Sequence, residues 1–253
     1  MVASSIDFAH VRAGRDRFFV WMAGVFVLIA FGGFIPTYWA KLAAGSFTGT
    51  PIHHIHATFF FTWTLFFFVQ TALVASGRIS NHRAWGLAGI SLATAMACTV
   101  LLVAIHSMQV ADSINRGDAG RRFSIVSLSA LVVFATLFTL AIVKSRRVEV
   151  HKRLMLLAMI PLMHAAMARV FLTLFAPPGA FGPPPVFVSV APGLVVDLLI
   201  VVAVIHDWRR RGRVHPVYLI GGFAIFAVQV LCVPASATAT WLSIARSVEA
   251  LAG

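Results

Sequence analysis

Acidic residues are scarce in this chain. Eight Asp and Glu stand against twenty Lys and Arg, and charges of both signs occupy only 11% of its 253 positions. A soluble domain carries about 25% charged residues because its surface faces water. The deficit excludes an ordinary soluble globule and sets most of the surface against lipid. Cysteine is rarer still. Cys98 and Cys232 both fall in apolar stretches and form no CxxC or CxxCH pair, which argues against a disulfide framework, a thiolate zinc site and a c-type haem. They read as small packing residues. Also missing are a P-loop, a GxSxG elbow and an HExxH motif. The last apolar span has no lysine, so a retinal-binding rhodopsin is excluded. No inverted repeat of broken helices is visible, which weakens a secondary-transporter reading.

What fills the chain instead is apolar: 60% of it is hydrophobic. Bilayer-length runs occur at roughly 18–36, 52–76, 84–107, 123–143, 154–175, 189–206 and 216–234. Backbone groups in hydrocarbon must be satisfied within their own segment, so each run is predicted to be a helix. The fold class expected is therefore all-α, a polytopic bundle of about seven transmembrane helices forming one domain over 1–253. The first run lacks a small-residue cleavage site and is taken as a retained helix rather than a signal peptide. The stretch 235–253, with Trp241 and Arg246, reads as a short interfacial helix.

The net charge of +12 does not point to nucleic acid, because the basic residues sit in short loops between spans. Fourteen of the twenty, from Arg12, Arg15 and Arg17 to Arg213, fall on one side and five on the other, with Arg169 left inside a helix. By the positive-inside rule the N-terminus is cytoplasmic and the C-terminus outside, as expected for a multi-pass protein of a bacterial inner membrane. One outer loop, 177–185, is Pro- and Gly-rich and cannot be helical. It would be a stiff cover or a passive spacer.

Ionisable groups within spans are costly, so each is a functional candidate. At the outer end of the second span stand His53, His54 and His56, and neutral imidazole suits zinc, copper and iron. His53 and His56 share a helical face that continues through Phe60, Trp63, Phe67 and Gln70. That stripe would either line a cofactor or quinone pocket or pack as an aromatic face. In the fifth span, His164 follows Pro161 and is a candidate axial ligand or a bonded core residue. Arg169 and Asp197 lie at matching depths, ~9 and ~10 Å below the outer ends of their helices, so an ion pair between them is expected. Met155, Met159, Met163 and Met167 form a row that could suit copper(I). Its drift of about 40° per step makes flexible packing sufficient. On the cytoplasmic side His82, His151, Asp207 and His215 gather among arginines. They would form a metal or haem-propionate site, or simply belong to loops that read anionic headgroups.

Taken together, His54-Ile55-His56-Ala57 with Trp63 and Gln70, His82-Arg83-Ala84-Trp85-Gly86, His151-Lys152-Arg153-Leu154-Met155, Ala168-Arg169, Asp197, Asp207 and Arg211-Gly212-Arg213-Val214-His215-Pro216 resemble a family of bacterial seven-helix membrane proteins with no assigned activity. The resemblance spans nearly the whole chain. It departs at Ala57, where the family more often has glycine, and at Trp85, where it more often has leucine. It implies the fold and favours His54 over His53 as the partner of His56. On a regular helix those two point about 200° apart. Either the helix begins after His54, or the two histidines do different jobs.

The leading expectation is a redox protein holding haem b or a transition metal among His54, His56, His164 and His106, with Gln70 near the pocket. Arg169 and Asp197 would tune charge or handle a proton. The rival expectation is a binding or transport protein for a small lipid-soluble or anionic molecule, using Arg169 and Asp197 directly. A third is an accessory subunit or assembly factor of a membrane complex. Beyond the lipid bilayer, further copies of the chain or a larger complex remain open as partners.

Overall fold

A computed structural model describes residues 17–252. Arg12 and Arg15, which contribute to the orientation argument, lie outside them. The described residues are helical with no strand, and seven of the helices are long and apolar enough to cross a membrane. The chain is thus a multi-pass helical membrane protein, as its composition predicts.

The first span runs from Phe18 to Ala43 in three pieces: α1 (Phe18–Gly33), a π turn (Ile35–Trp39) and α2 (Ala40–Ala43). Pro36 has no N–H to donate, and the Trp39 N–H reaches back to the Phe34 carbonyl at 3.2 Å, one residue beyond the α-helical partner. α3 (Pro51–Ala75) follows, then the short α4 (Ile79–Ala84). The remaining spans are α5 (Gly86–Ser113), α6 (Gly117–Val143), α7 (Val148–Phe175), α8 (Val190–Arg211, entered through a 3₁₀ turn at Val186–Ser189) and α9 (Pro216–Ala235). A last helix, α10 (Ala239–Glu249), lies against α5 and α6. It is tied there by Trp241 Nε1 donating to the Arg121 carbonyl at 2.8 Å and by Arg121 Nε donating to Glu249 at 2.8 Å.

Most helices overrun the apolar runs that mark them in sequence. α6 starts at Gly117 rather than 123, α7 at Val148 rather than 154, and α8 continues to Arg211 rather than 206. Helix propensity does not stop where hydrocarbon does, so charged turns at the ends stay helical. α8 ends where Gly212 takes a left-handed φ of 69°, which favours glycine.

α7 is the axle of the bundle, packing on α1, α6, α8 and α9. Of its most apolar window 56% is buried, against 28–33% for every other span. The methionine row lies along it: Met159 and Met163 are buried core and Met155 and Met167 pack at its edge, so the row packs rather than binds. α1 approaches α7 very closely. A Cβ on Gly33 would stand 2.5 Å from the Ala166 carbonyl oxygen, so only glycine fits. The Pro-rich loop 177–185 is exposed along most of its length, as a spacer would be.

Candidate functional site

Thr50 and Pro51 open α3 with an N-cap and a first-turn proline, the combination that starts helices well. The helix therefore includes all three histidines. Side chains one residue apart diverge by about 100°, and each imidazole finds a different neighbour. His53 turns back on the cap, its Nδ1 accepting from the Thr50 N–H at 3.2 Å with the Thr50 hydroxyl 3.1 Å away. The same hydroxyl lies 3.1 Å from His106 Nε2 on α5. His54 faces the π turn, with the Tyr38 hydroxyl 3.0 Å from its Nδ1. His56 faces α5 at Thr99, 3.0 Å away. Because the Thr99 hydroxyl gives its proton to the Met96 carbonyl, the His56 ring is the donor in that contact.

A metal centre shared by His53, His54 and His56 is not formed, since the helix aims them at three different elements. No group of three or more His, Cys, Asp or Glu placed to hold a metal occurs among the described residues. The wider set expected around haem does not converge either. His54, His56 and His164 each face a separate partner, while His53 and His106 have ring centroids 5.4 Å apart, too close to admit a porphyrin between them. The stripe of Phe60, Trp63, Phe67 and Gln70 is buried core rather than pocket lining.

The expected Arg169–Asp197 pair is replaced by another. His164 Nε2 lies 3.4 Å from Asp197 Oδ1. Five residues separate His164 from Arg169, which turns them about 140° apart on α7, so both cannot face α8. Equal depth did not ensure equal azimuth. The Arg169 guanidinium makes no hydrogen bond or ion pair with any described residue. Its side chain is exposed. On α3, His53 lies beside His106 of α5, with ring centroids 5.4 Å apart. α3 packs on α1 and α5, whereas α7 packs on α1, α6, α8 and α9. Tyr38, Phe47 and Phe61 form an aromatic cluster beside His54.

At the other end of the bundle, where the basic residues concentrate, the charges are closed on one another. Arg153, 1% exposed, forms a bidentate pair with Asp207, 2% exposed, through Nε at 2.8 Å and Nη2 at 2.5 Å. Its Nη1 takes the carbonyl and the carboxylate of Glu149, both at 2.7 Å, and Arg211 bonds Glu149 as well. The Tyr218 ring lies under the guanidinium at 5.5 Å. His215 joins through its N–H to Asp207 at 3.3 Å and caps α9 by accepting from the Val217 N–H. Burial, then the Arg153 charge, hold its imidazole below the ordinary value despite Asp207.

The other two histidines of this end stand apart from that network. His82 Nδ1 donates to Gln70 at 2.6 Å, His151 Nδ1 donates to the Ala141 carbonyl at 2.8 Å, and the rings are 6.3 Å apart. Burial, then His151 and Arg83, lower the His82 pKa. The expected cytoplasmic cluster is therefore two sites.

Sequence reasoning missed Tyr38, Thr50, Thr99 and Glu149, and had Arg153 only as one member of a basic loop motif. The Thr-Pro helix start was a readable signal for Thr50. Glu149 and Arg153, four residues apart, were a readable i,i+4 pair had α7 been started a turn earlier. Against known proteins, no family model, no curated protein and no solved structure matches this chain.

Proposed function

We propose that the protein is a multi-pass protein of the bacterial inner membrane that binds a small organic anion, a carboxylate or phosphate on an apolar body, from the outer side. The carrying observation is Arg169. It is a guanidinium in the outer half of the axial helix, exposed and without an acidic partner among the described residues. An intramembrane cation with no counter-ion marks a ligand site by default, and a planar guanidinium matches carboxylate and phosphate oxygens two at a time. The aromatic cluster of Tyr38 and Phe47 beside His54, at the same end of the bundle, suits the apolar part of such a ligand. The closed Glu149–Arg153–Asp207–Arg211 network supports entry from the opposite end.

The test titrates benzoate and inorganic phosphate into protein held in zwitterionic-lipid nanodiscs, alongside Arg169→Leu. Saturable binding by the parent and none by the variant is expected. Equal affinity in both rejects the reading. Repeating the titration with an anionic phospholipid in the disc separates a free anion from a lipid headgroup, since a resident headgroup would compete. A haem- or metal-based redox function is the competing reading. It requires a Soret band that shifts on dithionite reduction, or stoichiometric metal in the purified protein.

A further inference from the structure

α1 and α3 pack on each other, yet a trough of about 420 Å³ stays open along them at the end of the bundle where the basic residues concentrate. It is lined by three small residues, Gly24, Ala72 and Ala75, and by the rings of Trp21 and Phe68. Helix contact does not demand glycine at position 24. A Cβ there would stand 3.8 Å from the Phe68 ring, an ordinary contact, whereas one on Gly33 would collide with the Ala166 backbone. Gly33 permits an approach; Gly24 keeps a space.

Polar groups line this trough only where the two helices end. Arg17 is the N-cap of α1 and Ser76 the C-cap of α3. The Ser76 hydroxyl donates to the Ala72 carbonyl at 2.9 Å, which leaves the Arg17 guanidinium as the donor for a ligand. No Asp or Glu is among the described residues that line the trough. Seven residues separate Arg17 from Gly24 and eight separate Ser76 from Phe68, so on both helices the apolar lining reaches ~10–12 Å inward. The hydrocarbon of one leaflet is ~15 Å deep, half of a ~30 Å core. Trp21, 74% exposed, stands one turn inside Arg17, at the level where indole rings mark a membrane interface.

We propose that the trough seats one acyl chain of an anionic phospholipid, with the lipid phosphate held by Arg17. A planar guanidinium takes two phosphate oxygens at once, and the apolar length below it matches hydrocarbon rather than a free anion. Spread over ~12 Å, the volume gives a section about 6 Å across, which admits a hydrocarbon chain and not a helix ~10 Å wide. Cationic clefts between spans at the basic side of a membrane protein are where anionic headgroups lodge. The site is independent of the anion proposed at Arg169, which stands toward the opposite end of the bundle.

The experiment is native mass spectrometry of the full chain in a neutral detergent, titrated with dioleoyl phosphatidylglycerol or dioleoyl phosphatidylcholine. Ionic strength is held near ~0.15 M, where exposed charges more than ~8 Å from the bound phosphate are largely screened. One phosphatidylglycerol is expected to bind ahead of the others and ahead of phosphatidylcholine. Arg17→Gln should weaken that first lipid about tenfold, the loss expected when a hydrogen bond to a charged group is removed. Gly24→Leu fills the trough without touching the charge and should weaken both lipids. Arg146→Gln, an exposed cation that does not line the trough, and Arg169→Leu should each stay within about twofold of the parent. Equal losses from Arg17→Gln and Arg146→Gln would reduce the attraction to general charge and overturn the site. A first lipid lost in Arg169→Leu but kept in Arg17→Gln would overturn it in favour of a headgroup at the other end. A protein dimer that Gly24→Leu disperses would give the trough to a second copy of the chain and overturn it as well.

Discussion

Two arginines on one helix are treated in opposite ways. Arg153 and Arg169 stand sixteen residues apart on α7, about 24 Å along its axis. Arg153 is sealed from solvent, and every nitrogen of its guanidinium bonds a carboxylate or carbonyl. Arg169 is exposed and bonds nothing among the described residues. The first is an answered charge, a structural clamp joining α7 to α8 with Tyr218 of α9 beneath. The second is an open one. The contrast between the two is what motivates the proposal of an anion at Arg169.

The comparison breaks most visibly at Asp207. Asp207→Leu strands a buried guanidinium beside the Glu149 carboxylate alone, and should cost about 3–5 kcal/mol in detergent unfolding followed by tryptophan fluorescence. Arg153→Met combined with Asp207→Leu should recover most of that loss, because a packed apolar pair replaces a pair of desolvated charges. A double variant as unstable as the single one would show that the clamp is not a charge pair in its energetics. Next comes Gly33→Ala, which forces a methyl against the Ala166 backbone where α7 begins its outer half. It should cost about 1–3 kcal/mol by overpacking and weaken benzoate binding as well, because Arg169 lies less than one turn beyond Ala166. Arg169→Leu belongs at the small end for stability. Removing an unanswered cation should leave unfolding unchanged or shift it upward by roughly 1 kcal/mol. A marked loss would mean that Arg169 has a structural partner after all.

The smallest effect is a pH slope at the basic end. His215 titrates below the ordinary imidazole value of 6.5 in the folded protein. The unfolded chain then binds the proton more readily, so its contribution is fully present above 6.5 and is lost as pH falls towards the folded value. His215→Asn keeps a capping oxygen and should flatten the stability profile in that window without lowering the plateau at pH 8. An unchanged slope would exclude His215 as its source.

The architecture was legible because hydrocarbon imposes it. Seven long apolar runs in 253 residues leave few alternatives, and the structure has seven spanning helices. The site was legible in kind but not in pairing. A buried Arg–Asp pair was expected and exists, at Arg153 and Asp207 rather than Arg169 and Asp197. Hydropathy began the fifth run at 154 and ended the sixth at 206, which placed both members of the true pair in loops by one residue each. Depth along a helix can be counted from sequence, whereas the direction a side chain faces depends on where the neighbouring helices stand. The same gap explains His54 and His56. Their opposed directions were readable, and the helix does include both, so the two do different jobs. Which jobs depended on Tyr38 and Thr99, residues whose types carry no signal of their own.

The central place of α7 has a consequence for biogenesis. It is the fifth span to be synthesised, yet it is the surface on which α1, α6, α8 and α9 pack. α1 enters the membrane with Gly33 shaped for a backbone not yet made. Two of the four earlier spans, α1 and α6, must therefore wait in the bilayer without that part of their packing until the fifth is released beside them. For this chain the order of insertion and the order of assembly are different orders, and the interval between them is when a surveillance protease or a chaperone would find it incomplete.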